Sequence, residues 1–556
     1  MSGSAVRRLR THALRAVALA VVALGWSAGC DHSGENAPPA CGELVAEWSG
    51  GTLPGFTPLT VPEIQTILGQ AVEQSLALSR AAVVAVVDRE GFVLGVFAMT
   101  GAALGPVFPV PATSPPDAAP GINEAIAKAR TAAFLSSNQN AFSSTTAAFI
   151  VADHFPPGVA FTPGGPLFGV QNSNDTGSDV LRGVGPGGAP ISNIPTPLPD
   201  PNGFTGKAGG FPLYKDRMLV GGVGVSSADP TADEKSAVAA CRGFMAPVGI
   251  QACSVFIDGF RLAFADTDAP FVAPVLAFGA LPGSVVDAVT QGPGTLTAGA
   301  PAPAIPPATF GGVTGPLLYP VIDSPLAAAP KLLVADVQAI FTQAMLAMVP
   351  LRAGIRLPLG TSAQVTVVVV DTAGNVLGAF RPGDNTRFSF DVAAQKARTG
   401  VVYSDLTVTA ALGEPISGIP LGTAMTSRAI GFLAQPFYPP GIDGTSPGPL
   451  FGIQDALPGG TGAGIPGLDV TPGAIGDATD GNGITIFPGG IPLYKAGVLV
   501  GGIGVSGDGV DQDDYVAAAG AAGYEPPDAI RCDHLDVRGA RLPYVKFPRN
   551  PTQGVR

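Results

Sequence analysis

Residues able to do chemistry come in matched pairs along this chain. Lys128-Ala129-Arg130-Thr131 returns as Lys396-Ala397-Arg398-Thr399, and Pro212-Leu213-Tyr214-Lys215 returns as Pro492-Leu493-Tyr494-Lys495. A lysine repeated at one place on a helix is suited to hold an anion. It reads equally as a side chain whose stem lies on apolar surface and whose head stays in water, and Arg130 and Arg398 carry the same ambiguity. Tyr214 and Tyr494 could wall a pocket or fill a core as strand aromatics. Ser226 and Ser506 close a glycine-rich run, yet no histidine stands at a matching place in both copies, so a serine triad is unsupported. Asp88 and Asp371 each end an apolar run before a turn, where capping the turn accounts for the carboxylate. Gln171 and Gln454 follow a Leu-Phe-Gly stretch in each copy and suit backbone or ligand hydrogen bonding alike. No cluster of His, Cys and carboxylates repeats with metal-ligand spacing.

These residues sit around one repeated stretch. Gly209–Ser226, GGFPLYKDRMLVGGVGVS, recurs at Gly489–Ser506 as GGIPLYKAGVLVGGIGVS. Leu213–Lys215 and Met218–Val225 read as two strands joined by the tight turn Asp216-Arg217, with Ala496-Gly497 as its counterpart. Three glycines inside the second strand imply close approach by another body. That body is a helix packed on the sheet or a ligand, which makes Gly222 and Gly502 candidate ligand contacts. The glycines lie within the strand and not in the turn after it, so a phosphate cradle is excluded.

Before each hairpin the order repeats as well. Thr60-Val61-Pro62-Glu63 has capping-box spacing and opens a helix to about Ser79, with Ile64, Leu68, Val72 and Leu76 as its apolar stripe. The strand Ala82–Asp88 turns at Arg89-Glu90-Gly91 and returns over Phe92–Phe97. The second copy has a helix over Val334–Met348, then Gln364–Asp371, a turn at Thr372-Ala373-Gly374, and Val376–Phe380. The Lys-Ala-Arg helices span Asn123–Leu135 and Asp391–Tyr403. Phe142–Gly158 matches Met425–Gly441, and closing helices are expected over Thr231–Gly243 and Gln512–Gly523. Gly/Pro-rich insertions, roughly 172–208 and 455–488, read as binding loops or surface elaborations. The expected units are a leader (1–29), a tether (30–57), a first domain (58–264), an ordered connector (265–330), a second domain (331–545) and a tail (546–556). Phe271, Val275, Leu276, Phe278 and Leu281 are the connector's apolar anchors.

Composition limits the function. Charged residues are 13% and the net charge is −12, while Arg7, Arg8, Arg10 and Arg15 fall in a leader without acids. The remainder is more acidic still, which disfavours nucleic acid as a partner. The arginines precede the apolar run Ala16–Trp26 and Ser27-Ala28-Gly29-Cys30, a run too short to span a membrane. This resembles a bacterial lipoprotein signal with Cys30 as the lipidated residue; without acylation of Cys30 the same segment reads as an ordinary secretory signal. It implies attachment in the cell envelope, at a periplasmic or outer face. Cys41, Cys241, Cys253 and Cys532 remain, an even number that suits two disulfides in an exported chain. Cys241–Cys253 and Cys41–Cys532 are the expected pairs, against the alternative of buried thiols.

The order of helix, Val-Val-Asp hairpin, Lys-Ala-Arg helix, Gly-Gly-x-Pro, glycine-rich strand and closing helix resembles the GlcG/HbpS family, often labelled heme-binding. The matching motifs are VVDREG and VVDTAG, AKAR and QKAR, GGFP and GGIP, and VGGVGVS and VGGIGVS. The resemblance implies an α/β (α+β) chain of two profilin-like α/β/α domains, each with a central antiparallel sheet. Fused in one chain, they would form a built-in dimer, and homo-oligomers are expected of the family. It also implies heme or a similar planar cofactor near the glycine-rich strand. Lys128, Arg130, Lys396 and Arg398 would then meet propionates, and Tyr214, Tyr494, Gly222 and Gly502 would line the pocket. His154, which aligns with Phe437, is the candidate iron ligand, with Tyr214 or Tyr494 as oxygen alternatives. A lone histidine beside Phe155-Pro156-Pro157 reads equally as a loop residue. A non-catalytic envelope scaffold, or a small-molecule enzyme that breaks down heme, are the competing functions.

Overall fold

The structure, a computed structural model, describes residues 56–106, 120–152, 204–257, 259–267, 271–299, 305–358, 360–406, 418–435, 437–442, 444–451 and 485–552, with residues 155, 156, 165 and 167. The leader, Cys30, Cys41, His154, Gln171, Gln454 and most of both insertions fall outside these residues.

Helix α1 (Val61–Ala77) begins at a reciprocal cap. The Thr60 side chain accepts from the Glu63 amide, and Glu63 accepts from the Thr60 amide at 2.8 Å. Its buried face includes Ile64, Ile67, Leu68, Ala71 and Val72, whereas Leu76 is 39% exposed. A period of about 3.6 residues carries a strict every-fourth stripe away from the core. The hairpin β1 (Val83–Asp88) and β2 (Val93–Met99) follows, then α2 (Ile122–Leu135) and α3 (Ser144–Ile150). A second hairpin, β3 (Gly210–Lys215) and β4 (Met218–Ser226), precedes α4 (Pro230–Ala240) and a short ribbon, β5 (Phe256–Ile257) and β6 (Phe260–Arg261). Next come β7 (Gly283–Val286), β8 (Pro307–Phe310) and β9 (Val313–Tyr319). The second half runs α5 (Val334–Met348), β10 (Thr366–Asp371), β11 (Val376–Phe380), α6 (Ser389–Val402) and α7 (Ser427–Leu433). It ends with β12 (Gly490–Lys495), β13 (Val498–Ser506), α8 (Val510–Gly520) and the ribbon β14 (Asp536–Val537) and β15 (Ala540–Arg541).

Two antiparallel sheets result, ordered β3-β4-β1-β2-β7 and β12-β13-β10-β11-β9-β8. Their registers correspond: Val83 faces Ser226 and Asp88 faces Gly221, as Thr366 faces Ser506 and Asp371 faces Gly501. Asp216 and Arg217 have φ of 49° and 69°, and Ala496 and Gly497 have 50° and 79°. Two positive φ values make both turns the tight kind whose twist suits a hairpin. Asp88 accepts from the Glu90 and Phe92 amides, and Asp371 from those of Ala373 and Asn375, so both carboxylates cap their turns. Residues 265–330 do more than bridge the halves. They supply the edge strand β7 to the first sheet and β8–β9 to the second. Phe271 and Leu281 are buried there, while Val275 is 83% exposed.

Strand alternation divides each sheet into two packed faces. In the second half Val367 and Val369 join Ile340 and Phe341 of α5 and Val516 of α8. Val368 and Val370 join Phe390, Ala393 and Ala397 of α6. The architecture is therefore helix–sheet–helix. Gly222 and Gly224 of β4 and Gly502 and Gly504 of β13 serve this packing: a Cβ on Gly504 would overlap the Ala393 carbonyl, and one on Gly224 the Ala125 carbonyl, whereas Gly221 and Gly501 abut the neighbouring strand. The helix-packing reading of the glycine-rich strand thus holds at these positions. Gly504→Ala is expected to cost about 3 kcal/mol in urea unfolding, since the helix backbone has to move aside. A loss under about 0.5 kcal/mol would contradict this close approach.

The halves meet through the β1–β2 turn. Glu90 pairs with Arg381 at 2.7 Å and Arg387 at 2.8 Å, and Arg89 pairs with Asp384 at 3.0 Å. The Phe388 amide donates to the Phe134 carbonyl at 3.3 Å, and Leu357, Phe388, Val392 and Phe487 join the apolar core of the first half. The clasp is one-sided in sequence, because Ala373 takes the place of Glu90 in the second half's turn.

The expected Cys241–Cys253 disulfide is not formed; both residues, like Cys532, are buried thiols. Cys241 caps the end of α4 and Cys253 lies in a 3-10 turn, each within the apolar core. A thiol there packs as a small apolar group, and burial pushes the Cys532 thiol up to about 12. The second expected pair involves Cys41, outside the described residues.

Candidate functional site

The repeated basic residues point inward. Lys128 lies on α2 and Lys396 on α6, each 1% exposed. Lys128 Nζ donates to Asp233 at 2.8 Å and to the Val225 carbonyl at 2.9 Å. Lys396 Nζ donates to Asp513 and to the Val505 carbonyl, both at 2.8 Å. Each lysine thus ties the Lys-Ala-Arg helix to the end of the glycine-rich strand and to the closing helix. Burial pushes the Lys396 ammonium down and the Asp513 carboxyl up to about 7, and their mutual attraction opposes both shifts. Arg130 Nε donates to the Gly91 carbonyl and Arg398 Nε to the Gly374 carbonyl, both at 3.0 Å, pinning the helix to the turn beside it. Tyr214 is buried, and its hydroxyl donates to the Ser137 and Asn140 carbonyls at 2.6 and 3.0 Å. Tyr494 is 4% exposed, and burial pushes its hydroxyl up to about 12. A Cβ on Gly222 would overlap the Ala129 carbonyl, and one on Gly502 the Ala397 carbonyl. These residues bring each sheet and its helix together, and none of them lines the cavity described next. His154 lies outside the described residues.

A cavity of about 550 Å³ opens elsewhere in the second half. Helix α7 supplies Arg428, Gly431 and Phe432, with Gln435 just beyond it. Ile486, Phe487 and Pro488 lead into β12, Val510 begins α8, and Pro543, Val545 and Lys546 come from the C-terminal segment. Pro440 and Gly165 complete the lining, the latter from the first half. The volume lies within the usual range for small-molecule sites, and a junction between halves is a common place for one.

Local bonding fixes these walls. Thr426 caps α7, accepting from the Ala429 amide at 3.2 Å, and its hydroxyl donates to the Tyr544 carbonyl at 2.6 Å. That bond brings the C-terminal segment against the helix start. Ser427 accepts from the Gly490 amide at 2.7 Å and holds the entry to β12. Arg428 donates through Nε to Asp514, and through Nη2 to Asp511 at 2.8 Å and the Val510 carbonyl at 3.4 Å. The Lys546 amide donates to Asp514 at 2.9 Å, and Lys546 Nζ stands 3.1 Å from the other Asp511 oxygen. Burial raises the Asp514 carboxyl, with the Arg428 guanidinium opposing the rise. Gln435 Nε2 donates to the Gly431 carbonyl at 2.8 Å, while its Oε1 is a buried acceptor without a partner.

Chemically, the site offers apolar walls, two aromatic rings, two cations near the edge and one open acceptor. Such walls fit a flat apolar body with an anionic end, as a tetrapyrrole has. Among the described lining residues there is no histidine, cysteine, methionine or tyrosine, the side chains that ordinarily ligate heme iron. No group of three or more His, Cys, Asp and Glu able to hold a metal occurs among the described residues. Motif reasoning missed this cavity because its polar residues do not repeat. The available signal was a difference between the copies: Arg428 matches Thr145 in the paired stretches 142–158 and 425–441.

Residues 353–522 match the family model described as "Haem degrading protein HbpS-like". No curated protein matches the chain. Among solved structures, the chain is similar to a PduOC–heme complex at 20% identity, covering 34% of this chain and 96% of that one with a TM-score of 0.20. It is similar to the Klebsiella pneumoniae protein ORFY, of family DUF336, at 18% identity, covering 35% and 96% with a TM-score of 0.21. It is also similar to HbpS at 22% identity, covering 35% and 94% with a TM-score of 0.20.

Proposed function

We propose that the chain binds heme or a similar planar, partly apolar molecule in the cavity beside α7, a reading supported by the match of residues 353–522 to the HbpS-like family model. The observation that carries the reading is the 550 Å³ cavity whose mostly apolar walls include Phe432 and Phe487 and whose edge carries Arg428 and Lys546. Apolar area removed from water and ring contacts would supply most of the affinity. The described lining provides no iron ligand, so the molecule would be held by its ring and periphery. The reading includes export and lipid attachment at Cys30, on the strength of the N-terminal sequence, and the family supports further self-association. Binding rather than turnover is the role proposed.

A hemin titration of the full-length chain, followed by absorbance, tests it. Saturable binding is expected, and Val545→Trp, which fills the cavity from its C-terminal wall, is expected to weaken it at least about tenfold. Equal affinity in the variant would remove the cavity from the reading. Absence of saturable binding would remove the reading itself.

A further inference from the structure

We infer that this cavity recognises a carboxylate on its ligand, and that the matching place in the first half does not, so that each chain holds one ligand in one orientation. The inference rests on the binding proposed above and adds the ligand's charged group and the stoichiometry.

Equivalent hydrogen bonds align the two halves here. Ser143 donates to the Phe264 carbonyl as Thr426 does to that of Tyr544, each at 2.6 Å. The Asp266 amide donates to Glu234 at 3.2 Å as the Lys546 amide does to Asp514 at 2.9 Å. Arg428 therefore corresponds to Thr145, Asp514 to Glu234 and Lys546 to Asp266. The buried acid is kept in both halves and its partner has changed: Thr145 donates its hydroxyl to Glu234 where Arg428 donates Nε to Asp514.

The consequence is electrostatic. In the first half this place holds Glu234 and Asp266 with a neutral threonine, and Lys207, which stands where Phe487 does, is drawn to Glu124 at 3.4 Å, so no pair of cations faces an anion there. In the second half Asp511 grips two cations, Arg428 through one oxygen and Lys546 through the other. Arg428 uses Nε and Nη2 on protein oxygens, leaving Nη1 without a protein partner among the described residues. Lys546 Nζ, on a side chain 66% exposed, is held by one surface ion pair worth little to break. Nη1 and Nζ are thus two charged donors beside an apolar cavity, the complement of a carboxylate on a flat apolar body. The walls differ in the same sense. Phe149, the counterpart of Phe432, is stacked by Phe260 at 5.7 Å, and Ala540 replaces Phe260 in the second half.

The test compares hemin with hemin dimethyl ester, whose carboxylates are capped, on the full-length chain. One equivalent of hemin should bind, and the ester about 10- to 100-fold more weakly. Lys546→Met should weaken hemin by a larger factor than it changes the ester. The double variant Arg428→Thr/Asp514→Glu copies a pairing that the first half already folds around. It should bind hemin no better than the wild type binds the ester. Equal affinity for hemin and ester, or two equivalents of hemin per chain, would overturn the inference and leave the proposed function standing. Failure of both ligands to bind would overturn the two together.

Discussion

Glu90→Gln is expected to lower the free energy of unfolding by about 3–5 kcal/mol, the usual cost of removing one partner from a buried ion pair. Glu90 is 6% exposed and faces Arg381 at 2.7 Å and Arg387 at 2.8 Å, themselves 5% and 2% exposed. Arg387 has no hydrogen bond through any of its three nitrogens, so Glu90 is the chief compensation for its buried guanidinium, with Asp391 and Asp88 adding less. Glutamine keeps the shape, which isolates the charge. The effect carries a pH signature. Burial alone would raise the Glu90 carboxyl, but the Arg381 and Arg387 guanidiniums override it and hold it at about 2, below the ordinary 4.5. A carboxyl depressed in the folded state contributes stability that is fully present above 4.5 and is lost as pH falls through about 2. That contribution is about 3 kcal/mol. The gap between wild type and variant, measured by urea unfolding, should therefore narrow from pH 5 to pH 3. A gap that stays constant would show that the clasp does not act through charge.

Lys396→Met is expected to cost a similar 3–5 kcal/mol, while Lys396→Met/Asp513→Leu should recover all but about 1 kcal/mol. The single change leaves Asp513, 2% exposed, facing an apolar side chain. The double change removes both charges and lets apolar groups pack in their place. Hemin affinity, measured where each variant is folded, should stay within about twofold of wild type, because Lys396 does not line the cavity. A selective loss of hemin affinity with unchanged stability would restore the lysine to the ligand site that its repetition suggests.

Much of the fold is legible in local pattern, for identifiable reasons. The Thr60–Glu63 cap is a contact within one turn of chain, and the opening helix of the second half spans the expected Val334–Met348. The β3–β4 turn is set by two adjacent backbone angles. Helix α1 shows the limit of such reading, since Leu76 continues the stripe in sequence and leaves it in space. The cysteines show another: an even count says nothing about whether two sulfur atoms meet. The candidate site was the least legible part. A search for repeated residues selects what both halves need to fold, and Lys128, Lys396, Arg130, Arg398, Tyr214 and Tyr494 answer to that description. Arg428 and Gln435 stand in a repeated stretch at positions where the two copies differ, and Lys546 stands in the tail beyond the repeated motifs.

By itself the sequence determined the duplicated order of elements, the turns, the capped helix and the glycines that admit a helix onto each sheet. All of these depend on neighbours along the chain or on a period within one element. Tertiary structure alone decided that Lys128 and Lys396 are buried, because the acids that neutralise them lie on closing helices far along the chain. It also decided where a cavity opens, because α7, the entry to β12, the start of α8 and the C-terminal segment converge there. Volume and net charge at such a place are properties of the assembled walls, and no single stretch of the chain carries them.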